Sequence, residues 1–333
     1  MGPLVTTIFL LHILGAEALH RASPMRQPSL FGFCDPRNRR VLKPGTPVVD
    51  LFCGIGGFSS GAAAAGHPVV LAVDSDAELL EVHERNHPDA AHFCLALPCA
   101  TLPLPTQGDW HLHASPPCTK LSIMQPGGMR APAERREAAD LVAWVFELVK
   151  DAAPTSWSLE QVNHVHVRTQ LTALKQARPM LFDWDVFDAA HAGVPQHRKR
   201  IIAGSPWLIA NLRALDFDAP VRCVRDVIPH PPRPFVRNNL YWRPDEKTGE
   251  HKRVPLHDTM RSVDEPCWTV LATGHARWSD AEGNVLRHLT GAEKALIQGF
   301  PPDYILPENT TLCKVGVGNA LPPPLARELM RVS

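Results

Sequence analysis

Tyrosine is nearly missing from this chain, at 2 of 333 residues, and neither sign of charge predominates: 34 Lys and Arg stand against 34 Asp and Glu. A formal charge of zero excludes nucleic-acid binding by overall electrostatics, so any such surface has to be a local basic patch. None of the eight cysteines (Cys34, Cys53, Cys94, Cys99, Cys118, Cys223, Cys267 and Cys313) stands in a C-x-x-C pair, which argues against a zinc site or a disulfide framework. Reduced thiols suit an intracellular compartment. The apolar run from Leu4 to Leu19 is broken by His12 and Glu17 and is too short to cross a bilayer. Ala16-Glu-Ala18 has the small-x-small look of a cleavage site, yet no Lys or Arg precedes the run. Residues 1–45 are read as an N-terminal extension: a packed helix, a targeting segment, or a stretch outside the working protein.

What the chain does have is 33 prolines and a hydrophobic content of 44%, the composition of a folded protein with many loops. Its length allows one elaborated domain or two unequal ones. Pro44, Gly45 and Pro47 mark the start of ordered structure. Val48-Val-Asp-Leu-Phe52 reads as a buried strand, leading into Cys53-Gly-Ile-Gly-Gly-Phe-Ser-Ser-Gly61 and a small-residue helix at Ala62 to Ala65. Gly54, Gly56 and Gly57 permit a tight turn against a bound molecule, although Ser59 occupies the place of the third glycine of the dinucleotide fingerprint. Val69 to Val73 reads as the second strand and ends in Asp74, where a carboxylate can accept hydrogen bonds from ribose hydroxyls; equally, Asp74, Ser75 or Asp76 caps the helix that runs to Asn86.

Trp110 to Ala114 has the alternation of a strand, which places Pro116-Pro-Cys118 in the loop beyond it, the position where open α/β sheets bind ligands. The two prolines restrict the backbone and aim the Cys118 thiol; alone, a buried, inert cysteine explains it as well. Ala133 to Ala152 is an amphipathic helix with Leu141, Val145, Leu148 and Val149 on one face. The strand Ser156-Trp-Ser-Leu159 delivers Glu160, whose burial in ionised form requires a partner or a raised pKa unless it lies at the surface. After a strand at Phe182 to Phe187, Arg198 and Arg200 alternate toward the strand Ile201 to Ser205, able to hold phosphate or a base carbonyl, or merely solvated. From Pro206 to Val263 arginines and lysines interleave with Phe235, Tyr241 and Trp242, the make-up of a nucleic-acid surface or of an ordinary small domain. Thr290 and Glu293 form a capping box for a helix that Gly299 and Pro301 stop, and Val315 to Pro323 opens a terminal helix.

In this order, Asp50-Leu-Phe-Cys-Gly-Ile-Gly-Gly-Phe58, Pro116-Pro-Cys118, Glu160-Gln-Val162, Gln196-His-Arg-Lys-Arg200, Glu265-Pro-Cys-Trp-Thr269, Arg287-His-Leu-Thr290 with Gln298-Gly-Phe-Pro301, and Gly318-Asn-Ala-Leu-Pro322 resemble the motifs of the cytosine-C5 DNA methyltransferases. The resemblance spans residues 46 to 330. It implies a doubly wound, Rossmann-like class I methyltransferase sheet, formed by residues 46–205 and 286–333, with a small target-recognition domain inserted at 206–285. It implies S-adenosyl-L-methionine as cofactor, held by Asp50, Phe52, Cys53, Gly54, Ile55, Gly56, Gly57, Asp74, Ser115, Pro117 and Asn319. It further implies Cys118 as nucleophile toward cytosine C6, Glu160 at N3, Arg200 at O2 and Arg198 on the neighbouring backbone. The target base would be flipped out of double-stranded DNA, with RNA as the alternative substrate. Neither metal nor membrane is implied, and the expectation is a monomer in a nucleus or nucleoid.

Three departures qualify the match. Gln161 replaces the asparagine usual after the glutamate, Thr119-Lys-Leu121 replaces Gln-Pro-Phe after the cysteine, and no acid stands near Cys94-Leu-Ala-Leu-Pro98 to meet the adenine amino group. On these changes a catalytically weak, nucleic-acid-binding homologue is the competing expectation. The cysteine-phenylalanine-threonine signature of the tRNA-directed relatives is only faintly echoed in Cys267-Trp-Thr269.

Overall fold

A computed structural model describes residues 41–99, 101–117, 132–215, 221–237, 242–244, 251–253, 256–272 and 276–333. Cys118 and the Thr119-Lys-Leu121 substitution lie outside the described residues, as does almost all of the 1–45 extension.

Seven strands form the central sheet: β1 (Val48–Leu51), β2 (Val69–Asp74), β3 (Ala91–Cys94), β4 (His111–Ala114), β5 (Ser156–Val162), β6 (Asp183–Asp188) and β7 (Lys199–Gly204), in the order β3-β2-β1-β4-β5-β7-β6. The pairs from β3 through β5 are parallel, while β7 runs antiparallel to both β5 and β6. Pairing with β7 carries β5 on through Val162, so Glu160 lies within the sheet opposite Ile202 rather than beyond a strand end at Leu159.

Both faces of the sheet are covered, as a largely parallel sheet requires. On one face Val49, Leu51, Leu112 and Leu159 meet helices α3 (Pro132–Ala152) and α4 (Val165–Ala177). The stripe α3 buries is Val142, Val145, Phe146 and Val149, one step round from the expected face, with Leu141 and Leu148 only half-buried. On the other face Val48 and Ile202 meet α1 (Gly57–Ala64), α5 (Pro206–Arg213) and α8 (Pro323–Arg331). Helix α1 starts five residues ahead of Ala62, because left-handed Gly56 turns the chain straight from strand into helix. Helix α5, at the start of the segment expected to form the recognition domain, buries Leu208, Ile209 and Leu212 against the main sheet.

A smaller antiparallel sheet in the order β11-β8-β12-β13 is made by β8 (Phe235–Arg237), β11 (Met260–Ser262), β12 (Arg277–Ser279) and β13 (Val285–His288); β9 (Trp242–Pro244) and β10 (His251–Arg253) form a separate pair. Its core residues Val236, Val263 and Trp278 join Ile297, Phe300 and Val317 from around α6 (Gly291–Gln298) and α7 (Thr310–Asn319), and reach Leu79 and Val82 of α2 (Ala77–Asn86). This region therefore shares a core with the helices beside it. Several of its arginines are engaged internally: Arg225 pairs with Asp264 at 2.6 Å, Arg237 donates to Gly283 O, and Arg261 lies 4.1 Å over Trp268. The capping box at Thr290 and the left-handed Gly299 bound α6 as the sequence indicates. Val315 to Asn319, expected to open the terminal helix, instead closes α7, and Ala320-Leu-Pro322 is the turn before α8. Among the described residues no helix is long and apolar enough to cross a membrane.

Candidate active site

The C-terminal ends of β1, β2, β4 and β5 open on a cavity of about 270 Å³. Its wall includes Asp50, Phe52, Cys53, Gly54, Ile55 and Gly57 from β1 and the following turn, Asp74 from β2, and Ser115 and Pro117 after β4. Glu160, Arg198 and Arg200 enter from β5 and the start of β7, and exposed Asn319 stands at the end of α7. Every described residue the resemblance singled out is thus brought to one place, apart from Gly56. That glycine, at φ 90°, has no place in the wall: a Cβ there would lie 2.6 Å from the Tyr304 hydroxyl and 2.9 Å from His87 Nε2. It admits Tyr304, whose hydroxyl donates to Ile55 O behind the turn. Gly57 faces the opposite way, where a Cβ would lie 2.3 Å from Leu321 O, so the turn and the C-terminal motif meet backbone to backbone. Phe52 holds a left-handed φ of 60° without being glycine, a local strain at the mouth of the turn.

The carboxylates have distinct tasks. Asp74 Oδ2 accepts from Gly54 N at 2.8 Å and its Oδ1 from Asp76 N at 2.9 Å, so it braces the glycine turn while still lining the cavity. Asp76 is the cap of α2, accepting from Glu78 N and Leu79 N. Asp50 is almost wholly buried; its Oδ2 accepts from Ser59 Oγ at 2.7 Å, and its Oδ1 is buried without a hydrogen-bond partner among the described residues. Burial pushes the Asp50 pKa up to about 7, against the Ser59 hydrogen bond and with help from Asp74. Burial also raises the Cys53 thiol well above its ordinary range, which leaves that cysteine an inert wall residue.

Glu160, buried in β5, has both of the features its position demanded. Its Oε1 lies 2.8 Å from Arg200 Nε, and burial still raises its pKa against the pull of Arg200 and Arg198. Gln161 reaches the other way: its side-chain amide donates to Pro116 O at 2.5 Å. The longer amide therefore ties β5 to the Pro-Pro loop. Arg198 departs from expectation. Its guanidinium, 1% exposed, donates to the carbonyls of Val270, Gly318 and Ala320, so it binds the protein's own backbone rather than standing free for that of a nucleic acid. Gln196 and Gln298 continue the stitching: Gln196 accepts from Val270 N and donates to Ile297 O, and Gln298 donates to Ala320 O. The sequence marked both glutamines as motif letters without assigning them this role. Near Cys94 to Pro98 no acid joins the cavity wall.

Beneath Ser115 runs a fully buried ladder that the sequence reading missed. His113 bridges Ser115 Oγ at 2.9 Å and Ser158 Oγ at 2.7 Å, and His111 bridges Ser158 Oγ at 2.9 Å and Ser156 Oγ at 2.6 Å. Phe58 stacks on His113 at 3.6 Å. Burial keeps both imidazoles neutral, with His111 pushed down to about 3. Alternation of His and Ser on paired strands β4 and β5 was the available signal.

A sheet of this order, with one strand antiparallel to its neighbours and a cavity at the parallel strand ends, is a Rossmann-like methyltransferase fold. The family of C-5 cytosine-specific DNA methylases matches residues 46–205 and 238–332, and the chain belongs to it, as an enzyme of the DNA (cytosine-5-)-methyltransferase class. Type II methyltransferase M.HgiDI of Herpetosiphon aurantiacus is 28% identical over 84% of this chain and 91% of its own length. M.HpaII of Haemophilus parainfluenzae is 24% identical over 90% and 92%. Among solved structures, a variant of Spodoptera frugiperda DNMT2 superposes with a TM-score of 0.57 at 16% identity, covering 86% of this chain and 99% of that one, a likeness of fold.

Proposed function

We propose that the chain transfers a methyl group from S-adenosyl-L-methionine to C5 of a cytosine flipped out of double-stranded DNA. The observation that carries this is the single cavity in which the glycine turn, the Pro-Pro loop and the buried Glu160–Arg200 pair meet. The residues present fit the cofactor. Asp50 offers a buried acceptor oxygen to a cationic ligand, Asp74 a partly open carboxylate to hydroxyls, and the glycine turn a close backbone. When bound, S-adenosyl-L-methionine supplies an electrophilic methyl group on a sulfonium. Phe52, Ile55 and Asn319 would hold it in place.

Cytosine C5 is a poor nucleophile until C6 is attacked, and the role assigned to Cys118 is to add there as thiolate. Glu160 would hold a proton at N3 as charge develops on the ring, a role suited to a carboxyl whose pKa burial raises. Arg200, fixed by Glu160, would donate to O2. Gln161 keeps the cysteine's loop against β5 through Pro116. With C5 methylated, loss of its proton to a base expels the thiolate and restores the ring. Arg198 acts as a positioning residue that clamps the recognition region and the C-terminal turn onto β7.

Labelled cofactor incubated with the purified chain and, in parallel, duplex DNA and tRNA tests the reading once the products are digested to nucleosides. Label in 5-methylcytosine from DNA supports it. Label from tRNA alone makes the protein an RNA methyltransferase, and no label in either overturns catalysis.

A further inference from the structure

Asp50 is one end of a hydrogen-bonded chain that leaves the cavity through the core. Ser59 Oγ donates to Asp50 Oδ2 at 2.7 Å, His83 Nε2 lies 3.0 Å from Ser59 Oγ, and His92 Nε2 lies 2.8 Å from His83 Nδ1. Ser59 and His83 are fully buried, whereas His92, on edge strand β3, is only half-buried. The chain therefore runs from the cavity wall to the edge of the sheet.

The polarity of these bonds follows from counting protons. Ser59 has one, and if Asp50 receives it, the Ser59 oxygen must accept from His83 Nε2–H, and His83 Nδ1 from His92 Nε2–H. Every donor then points at an ionised carboxylate. A proton arriving at His92 Nδ1 reverses the set. The Nε2 proton of His92 passes to His83 Nδ1, that of His83 Nε2 to Ser59, and that of Ser59 to Asp50. One proton enters at the sheet edge, one reaches the cavity, and both imidazoles and the serine end neutral. The ladder under Ser115 differs, because its far end, Ser156, is fully buried; it can orient a hydroxyl but has no described outlet to solvent.

We propose that Ser59, His83 and His92 are a proton relay that lets Asp50 change its charge while the cavity is occupied. The inference rests on the cofactor reading above: a sulfonium enters as a cation and leaves, after transfer, as a neutral thioether. A carboxyl in this wall thus meets a different charge before and after the reaction, and burial denies it direct exchange with solvent. The other ionisable groups that face it are Asp74 from β2, Cys53 from the glycine turn and Tyr304 from beyond α6, with His87 beside His83 on the relay. Of these, Asp74 is the second carboxyl, and its charge opposes that of Asp50.

Calorimetry at pH 7 in buffers of different ionisation enthalpy, on the full chain, tests this with S-adenosylmethionine and S-adenosylhomocysteine as probes. With a carboxyl near half ionisation, the sulfonium should release about half a proton more than the thioether. Asp50→Asn should abolish that difference. In stopped-flow with a pH-indicator dye, proton release should keep pace with sulfonium binding in the native chain and lag about tenfold in His83→Phe and in His92→Leu. The second variant sits at a half-buried edge and guards against misfolding of the first. Equal proton release for the two probes, or unlagged release in either variant, overturns the relay. Failure of both probes to bind removes the cofactor reading as well, whereas binding without a proton difference removes the relay alone.

Discussion

Lowering the pH from 7 to 5 should unfold this protein, and the magnitude can be worked from four histidines. His83, His87 and His111 are held at about 2, about 4 and about 3, and His113 well below 6.5, in each case mainly by burial. In every case the folded value lies below the unfolded one. Below about pH 6.5 the unfolded chain therefore takes up protons that the folded chain refuses, and stability present above that pH is lost as pH falls. Between pH 7 and 5 each histidine removes about 2 kcal/mol, about 8 kcal/mol for the four. Asp50 works the other way: its folded value of about 7 lies above the unfolded 3.8, so on the same descent folding gains about 2 kcal/mol. Asp74 and Glu160, raised in the same direction, titrate on the side of Asp50. For the four histidines and Asp50 the balance is a loss of about 6 kcal/mol, comparable with the whole stability of an ordinary domain. Urea unfolding at half-unit pH steps checks this. The midpoint should fall steeply between pH 6.5 and 5, and a midpoint that is flat or rising over that interval refutes the reasoning that these imidazoles are buried neutral.

Other outcomes follow from single contacts. Ser158→Ala strands His111 Nε2 and His113 Nδ1 in the core and should cost about 2–5 kcal/mol, read as a lowered urea midpoint with unchanged slope. Glu160→Gln should lower kcat by about 10²–10⁴ while leaving cofactor affinity, measured by calorimetry, within a few-fold; an equal loss of affinity would assign the residue to binding. Gly57→Ala drives a methyl group into Leu321 O and should destabilise by about 1–3 kcal/mol and weaken cofactor binding in the same calorimetric assay.

The parts of the fold that were legible in sequence are those written in short-range pattern. Val48 to Leu51, the glycines after it, and the Thr290–Glu293 box each declare a strand, a turn or a helix start within a few residues. The residues proposed for the site stood out as motif letters, and the described ones other than Gly56 line one cavity. What stayed hidden depends on contacts between distant parts of the chain. His113 finds Ser158 across 45 positions and Arg198 finds Ala320 across 122, so no local window displays the ladder or the clamp. Arg198 was read as a free cation because its partners are backbone carbonyls, which carry no side-chain signature. The packing of α5 was hidden for a similar reason: the composition shift at Pro206 marks surface chemistry, while Leu208, Ile209 and Leu212 meet the sheet only in the fold.

The central claim is that a thiolate at position 118 bonds to cytosine C6 before the methyl group is released. A duplex carrying 5-fluorocytosine in place of cytosine measures this directly, because the fluorine cannot leave as the C5 proton does. With S-adenosylmethionine present, the purified chain should form a denaturation-resistant adduct, mass mapping should place it on the peptide containing Cys118, and Cys118→Ala should form none. No adduct on a duplex that the protein does methylate, or an adduct that survives Cys118→Ala, would contradict the account.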